Sequence, residues 1–127
     1  MIWCDRIRKK FPNLLGKLAF IECPSGWENL IEDMCLDIVK YQTYFVADPD
    51  YSPVVFLQIK EKFGGLVAYY QGGHINGDYI SAISDIIHDY EKRAMDVCSL
   101  CGAVDSVTRK IYTRGWVYTR CKDCINA

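Results

Sequence analysis

The sequence lacks an apolar run that could cross a bilayer, and it lacks a secretory leader. A membrane-spanning helix needs roughly 20 consecutive apolar residues, and no stretch of the chain approaches that length. Residues 1–13 mix five charged residues with apolar ones and show neither the apolar segment nor the cleavage site of a signal peptide. We therefore expect a cytoplasmic protein.

Histidine is scarce, and the common catalytic motifs are missing. The chain contains only His74 and His88, and it has no serine–histidine–aspartate set, phosphate-binding glycine loop or paired-carboxylate motif. A lone acid or base does not make a general acid–base mechanism. The sequence predicts a protein that is not an enzyme and leaves catalysis by Glu61 or His74 as an alternative.

Net charge is also low, at −1, but the charges are segregated along the chain. Residues 1–17 carry five basic residues against one acidic residue, and residues 101–127 carry five against two. Residues 18–100 carry thirteen acidic residues against five basic ones. This asymmetry indicates either a charged partner or acidic helix faces that are simply solvated.

Cysteine, in contrast, is abundant, with seven residues in a chain of 127. The number is odd, and four of the seven form two CxxC pairs, Cys98 with Cys101 and Cys121 with Cys124. The pattern C-x2-C-x19-C-x2-C lies within the spacing range of zinc sites, and four thiolates suit tetrahedral Zn²⁺. The sequence therefore predicts one zinc ion and not a disulfide framework.

The predicted zinc is structural, because a closed four-cysteine site has no coordination position for water or substrate. Between the cysteine pairs, residues 106–112 and 116–120 flank a turn at 113–115, which predicts the β-hairpin of a zinc ribbon. Redox use of a CxxC pair and an iron–sulfur cluster are the alternatives. Cys4, Cys23 and Cys35 are predicted to be ordinary buried thiols.

Two amphipathic helices dominate the rest of the chain. Ser25 and Glu28 match an S-x-x-E capping box, and Asp78 is a candidate N-cap for the second helix. A short helix and a strand at 18–23 precede them. The apolar residues at helical spacing lie at positions 27, 30, 31, 34, 38, 41 and 45 in the first helix, and at 79, 80, 83, 86, 87, 90 and 94 in the second.

Residues 54–63 and 66–71 predict two strands joined by a turn at Gly64-Gly65. Glu61 falls on the apolar face of this hairpin, where we expect a buried anchor paired to a basic or hydroxyl group or, alternatively, a general acid or base. The predicted pairs on that face, which also includes Leu57, are Phe63 with Leu66, Glu61 with Ala68, and Ile59 with Tyr70.

These elements together predict an α+β fold. It comprises a small antiparallel sheet with two long amphipathic helices on one face, in a domain at 1–97, followed by a zinc ribbon at 98–127.

Basic and aromatic side chains are concentrated on the ribbon and on the polar face of the first hairpin. Such a mixture suits phosphate contact with base stacking, and it equally suits a protein interface. The acidic helix face favours a protein partner. The predicted partner-binding residues are Arg109, Lys110, Tyr112, Arg114, Trp116, Tyr118 and Arg120 on the ribbon, and Lys60, Lys62 and Tyr69 on the hairpin.

Three separated motifs resemble a known group of proteins. They are GlyTrp at 26–27 opening a helix, GlnIleLysGluLysPheGlyGlyLeu at 58–66 with TyrTyr at 69–70, and CxxCG with GlyTrpValTyrThrArgCys at 115–121. The chain resembles, over roughly residues 25–124, small bacteriophage proteins in which a KEKFG-type hairpin precedes a zinc-binding tail. The resemblance implies a phage protein in the bacterial host cytoplasm and implies no reaction.

Small phage proteins that are not enzymes commonly act by binding host machinery. The first functional hypothesis is therefore a module that binds a host protein or defence complex and inhibits or redirects it. The alternative is a nucleic-acid-binding accessory or regulatory protein that uses the basic ribbon.

Overall fold

The computed structural model describes residues 2–16, 19–72, 77–104 and 109–125 and has an α+β architecture. A 3-10 turn at Ser25–Trp27 precedes the second helix. The helices are α1 (Ile2–Lys10), α2 (Glu28–Gln42) and α3 (Gly77–Ala94), and the strands are β1 (Phe20–Glu22), β2 (Val55–Lys62), β3 (Gly65–Gln71), β4 (Arg109–Thr113) and β5 (Trp116–Arg120).

The main sheet has three strands in the order β1-β2-β3, and it is mixed. β2 and β3 are antiparallel, whereas β1 runs parallel to β2. The prediction of a wholly antiparallel sheet was therefore wrong. The reason is the connection: α2 lies between β1 and β2 in the chain, and a helical crossover of this length returns the chain in the parallel direction.

The hairpin register also differs from the prediction. The turn residues are Phe63 and Gly64, with φ of 53° and 79°, and the pairs are Glu61 with Leu66 and Ile59 with Ala68. Moving the turn by one residue shifts each partner by two, which preserves the face on which every side chain lies. The predicted inward face of Ile59, Leu66 and Ala68 is therefore confirmed, although their pairing was wrong.

Two apolar residues of the predicted inward face lie outside it. A register irregularity between Phe56 and Gln58 buries Phe56 and leaves Leu57 46% exposed. Phe63 occupies the turn and is 71% exposed. The alternation rule failed at these positions because a bulge and a turn interrupt the pleat.

The predicted capping box at Ser25 and Glu28 is also wrong. Neither the 3-10 turn nor α2 has a side-chain cap hydrogen bond. The backbone N–H of Gly26 instead donates to the Ser99 carbonyl at 3.0 Å, and Glu28 pairs with Arg6. Similarly, α3 already includes Gly77, so Asp78 lies inside the helix and is not its N-cap.

The apolar stripes of α2 and α3 are confirmed as core. α3 contacts both α2 and β3, and that both helices lie on one face of the sheet stays a prediction. The fully or nearly fully buried stripe residues are Trp27, Ile31, Met34 and Ile38 from the first stripe, and Tyr79, Ile83, Ile87, Tyr90 and Ala94 from the second.

Some of the segregated charges pair with one another within the fold. The Glu32 carboxylate on α2 accepts hydrogen bonds from Arg6 at 2.7 Å and Lys10 at 2.6 Å on α1. Arg6 also contacts Glu28 at 3.2 Å, and the Tyr90 hydroxyl donates to Asp37. The basic N-terminus thus serves as the partner of the acidic helix face.

Among the described residues, no helix combines the length and apolar character that spanning a membrane requires.

The pairing of Glu32 predicts a specific pH dependence of stability. Hydrogen bonds from Arg6 and Lys10 lower the pKa of Glu32 from 4.5 to about 2. Because the folded-state pKa is depressed, the stabilisation is present above about pH 4.5 and is lost as the pH falls toward 2. Glu32→Gln should lower the free energy of unfolding near neutral pH by about 1 kcal/mol.

Urea denaturation of both proteins across this pH range measures the effect. Loss of a bound metal in acid affects both proteins alike, so the difference between them isolates Glu32. Asp85→Asn offers a control, because Asp85 is exposed and forms no ion pair with a residue that the structure describes. If the difference in unfolding free energy between wild type and E32Q stays constant down to pH 2, the assigned pairing of Glu32 is contradicted.

Candidate metal centre

Cys98, Cys101, Cys121 and Cys124 converge at one point. Their Sγ atoms all lie within 4.8 Å of one another, and those of Cys101 and Cys121 are 3.7 Å apart. A tetrahedral zinc site with Zn–S bonds of about 2.3 Å separates its sulfurs by about 3.8 Å. The four side chains can hold a metal ion, as the spacing predicted.

The first pair lies in a tight knuckle closed by backbone hydrogen bonds. The N–H of Gly102 donates to the Cys98 carbonyl, and the N–H of Cys98 donates to the Ala103 carbonyl, each at 2.9 Å. Gly102 has a φ of 81°, a conformation that glycine adopts without a Cβ penalty. The knuckle thereby directs the sulfurs of Cys98 and Cys101 to the same side.

The second pair follows the end of β5. The Cys124 N–H donates to the Cys121 carbonyl at 3.1 Å, which forms a second turn. β4 and β5 are antiparallel and join at Arg114 and Gly115, as predicted for the hairpin of a ribbon. Neither CxxC pair opens a helix, so the geometry that redox CxxC motifs use is not present at these described residues.

The local hydrogen bonds favour thiolate at Cys98. Burial alone raises its pKa, but hydrogen bonds from the backbone of Cys101, Cys121 and Leu100 outweigh burial and lower the pKa to about 6. Thiolate is the form that binds a metal. Cys23 and Cys35, by comparison, are buried thiols whose pKa values are raised by desolvation, so they remain protonated.

The metal centre rests directly on the rest of the fold through Gly26. A Cβ on Gly26 would lie 2.2 Å from the Cys98 carbonyl oxygen, a distance at which atoms overlap. The fully buried Trp27 adds a second contact, because its Nε1 donates to the Val97 carbonyl at 3.1 Å. Only glycine permits this approach of the two backbones.

A separate contact joins the ribbon to the tip of the β2–β3 hairpin. The buried Thr119 hydroxyl donates to the Gly64 carbonyl at 2.7 Å, and the Thr119 carbonyl accepts the Ser99 N–H at 2.8 Å. Glu61 supports the same turn, since its Oε1 accepts the Gly64 N–H at 3.0 Å. Glu61 is thus an anchor, though for a backbone amide and not for the predicted basic or hydroxyl group.

The predicted partner-binding residues fall into separate groups in the structure. Tyr118 and Arg120 turn toward the core, and the Arg120 guanidinium lies 5.0 Å from the Tyr118 ring. Lys60 lies 5.7 Å from the Tyr69 ring on the sheet. The side chain of Arg109 lies outside the described residues, as does His74, while His88 is exposed and contacts Glu91.

Most of the remaining predicted residues lie at or beside the tips of the two hairpins. A hollow of about 230 Å³ between Phe63 and Trp116 shows that the tips are neighbours. We call this region the tip surface, defined by the exposed residues Lys62, Phe63, Tyr112, Arg114 and Trp116. Lys110 lies away from the turn and lines a different hollow, with Glu91 and Lys92 of α3. Phe63 is the member that sequence analysis missed, because it was assigned to the inward face.

A larger cavity, of about 490 Å³, lies where the ribbon meets the core. Sequence analysis did not predict it. The signal that could have found it is the set of three resemblance motifs, since Trp27, Glu61 and Tyr118 come one from each of them and all line this cavity. We call it the junction cavity.

Substitution of a ligand should abolish metal binding. We expect one metal ion per chain, and Cys121→Ser should reduce this to well below one, because a three-cysteine site loses the closed tetrahedral shell. Elemental analysis of the purified proteins gives the stoichiometry, with Cys4→Ala as the control for removal of a thiol outside the cluster. Full occupancy in C121S contradicts the ligand assignment.

Alanine at position 26 should destabilise the protein strongly. The added Cβ forces apart the 3-10 turn and the first knuckle, so Gly26→Ala should lower the free energy of unfolding by more than about 2 kcal/mol. Gly16→Ala is the matched control, since no atom lies within 4 Å of its added Cβ. Denaturant titration compares the two, and equal stabilities rule out the close contact.

Comparison with protein-family models, curated proteins and solved structures finds no match for this chain. The resemblance to the phage proteins therefore stays a prediction, and the functional argument rests on the chain's own geometry.

Proposed function

We propose that this chain is a zinc-ribbon binding protein, without catalytic activity, that attaches to an acidic surface of another protein through the tip surface. The resemblance to phage proteins suggests a host protein or defence complex as the partner, which binding inhibits or redirects. Zinc is the proposed metal, because it favours closed sites of four thiolates. In such a site the metal stabilises the ribbon and has no position for substrate.

The observation that carries the proposal is the choice of residues at the two hairpin turns. Phe63 and Arg114 both have positive φ, at 53° and 51°, and each is followed by a glycine with positive φ. Asparagine, aspartate and glycine are the residues that suit this position, whereas a bulky side chain there is strained by about 1 kcal/mol or more. Neither turn has the residue that stability alone would select.

Both strained residues are exposed, Phe63 by 71%, and Arg114 likewise lies on the surface. Beside the second turn, Trp116 and Tyr112 are 64% and 76% exposed. Exposed aromatic rings grouped in one patch are uncommon on surfaces that contact only water, and aromatic residues with arginine dominate the energetics of protein interfaces. The strain and the exposure together point to binding.

Charge defines the kind of surface that fits. Arg6, Arg8 and Lys10 pair with carboxylates inside the fold. In the described part of the chain, by contrast, Lys62 and Arg114 make no ion pair, and the same holds for the exposed residues Lys9, Lys40, Lys92 and Lys122. The tip surface combines such cations with exposed aromatic rings, which complements an acidic protein patch.

Nucleic acid is the competing partner, since the same chemistry can contact phosphates and stack on bases. Binding through several phosphates weakens steeply as salt rises from low to moderate concentration. Retention on DNA or RNA at low salt with this steep loss would favour nucleic acid over the protein partner that we propose.

Asparagine at position 63 should separate binding from stability. Phe63→Asn places a residue that tolerates the left-handed conformation in the turn, so the free energy of unfolding should rise by up to about 1 kcal/mol. The same substitution removes an exposed ring and should weaken partner binding. A structural role for Phe63 predicts the opposite change in stability.

The binding measurement is capture from bacterial lysate by immobilised wild-type protein, F63N, Trp116→Ala and the control Tyr44→Ala. Tyr44 is 82% exposed but lies outside the tip surface. We expect the same proteins to be enriched by wild type and Y44A and to be lost with F63N and W116A. Enrichment that is unchanged in both tip variants contradicts the proposed surface.

A further inference from the structure

The junction cavity has the construction of a binding pocket, and it adjoins the tip surface at Glu61, which also lines the hollow between Phe63 and Trp116. Four parts of the chain form its wall: the end of β1 with the following segment, the tip of the β2–β3 hairpin, the first cysteine knuckle and β5. Its volume of about 490 Å³ is within the range of small-molecule and side-chain pockets.

Most of the wall is apolar. The ring of Trp27 is fully buried, and Cys23 is nearly so. Pro24, Leu100 and the Tyr118 ring complete this part of the lining. Such a wall accommodates an aliphatic chain or another apolar group, and by itself it does not distinguish between them.

Two carboxylates make the cavity selective for charge. Glu22 and Glu61 both line it, and neither forms an ion pair with any residue that the structure describes. Both lie close enough to Cys23 that their charges raise the pKa of its thiol, in addition to the larger effect of its burial. Glu61 uses Oε1 for the Gly64 amide, and Glu22 lies opposite Lys60 on the neighbouring strand.

Arg120 is the basic residue among the described lining residues. Its Nη1 donates to the Cys124 carbonyl at 3.4 Å, and its guanidinium lies 5.0 Å from the Tyr118 ring. Four thiolates around a divalent ion would leave two negative charges, which Arg120 would partly offset. Glu22 and Glu61 outnumber this one cation, so the described lining of the cavity has a net negative charge.

We propose that the junction cavity binds a cationic side chain on an aliphatic stem, a lysine or arginine of the partner protein. The apolar wall takes the methylene chain, and Glu61 with Glu22 binds the ammonium or guanidinium group. This inference rests on the proposed function in that the partner protein supplies the side chain. Recognition then requires two features of the partner: an acidic patch that contacts the tip surface and a basic residue that enters the junction cavity.

The test uses free ligands and needs no identified partner. The zinc-loaded protein is titrated with N-acetyl-lysine methylamide, with the arginine analogue, and with N-acetyl-norleucine methylamide, which has a similar apolar chain but no charge. Chemical shifts of the Gly64, Ser99 and Thr119 amides report occupancy of the cavity. We expect millimolar dissociation constants for the cationic ligands, with norleucine at least roughly fivefold weaker. The ratio of the lysine to the arginine constant identifies the preferred cation.

Glu61→Gln isolates the charge, because glutamine keeps an oxygen that accepts the Gly64 N–H. We expect E61Q to remain folded and to lose the preference for the cationic ligands over norleucine. Asp85→Asn removes an exposed carboxylate in the middle of α3, and this variant should keep the preference for the cationic ligands. If E61Q perturbs the turn, Glu22→Gln provides the same comparison from β1.

Equal binding of norleucine and lysine analogues overturns the proposed charge selectivity, and so does an unchanged preference in both glutamine variants. Absence of shifts at all three amides overturns the site itself. None of these results bears on the tip surface, whose failure shows in lysate capture by F63N and W116A. The two proposals are therefore contradicted by different measurements.

Discussion

The structure depends on one close backbone contact, between the 3-10 turn at Ser25–Trp27 and the first cysteine knuckle. The missing side chain of Gly26 lets the two backbones meet, and the Gly26 N–H and Trp27 Nε1 donate to carbonyls on either side of Cys98. A hairpin of this size has little room for an apolar core of its own, and a metal held by the four cysteines would stabilise it. The contact fixes the position of the ribbon against the sheet.

That position creates both candidate surfaces. Because Thr119 bonds to Gly64, the tips of the two hairpins lie side by side and their exposed residues form one patch. The same packing encloses the junction cavity between the hairpin, the knuckle and β5. The four cysteines are not among the residues that we propose to bind a partner, so a metal held there would act by keeping the two hairpins in position.

The fold brings together charges that lie far apart along the chain, so the net charge of each segment does not show which charges are paired. Arg6 and Lys10 on α1 lie far in sequence from Glu28 and Glu32 on α2, yet the two sets pair in space. Lys62 and Arg114 at the hairpin tips form no ion pair with a described residue, and they lie in or next to the strained turns. Strain that stability does not explain is commonly found at functional sites.

The sequence by itself determined the four cysteines that converge and could hold a metal ion, the apolar stripes of α2 and α3 and the inward face of the β2–β3 hairpin. These features depend on residue spacing within short segments. The periodicity of helices and strands and the geometry of a cysteine knuckle relate residues that are only a few positions apart. Only the tertiary structure decided the parallel direction of β1, the turn at Phe63-Gly64, the pairing of the charged segments and the junction cavity. Each of these results from contacts between residues distant in sequence, such as Gly26 with Ser99 and Thr119 with Gly64, and no local pattern encodes such contacts.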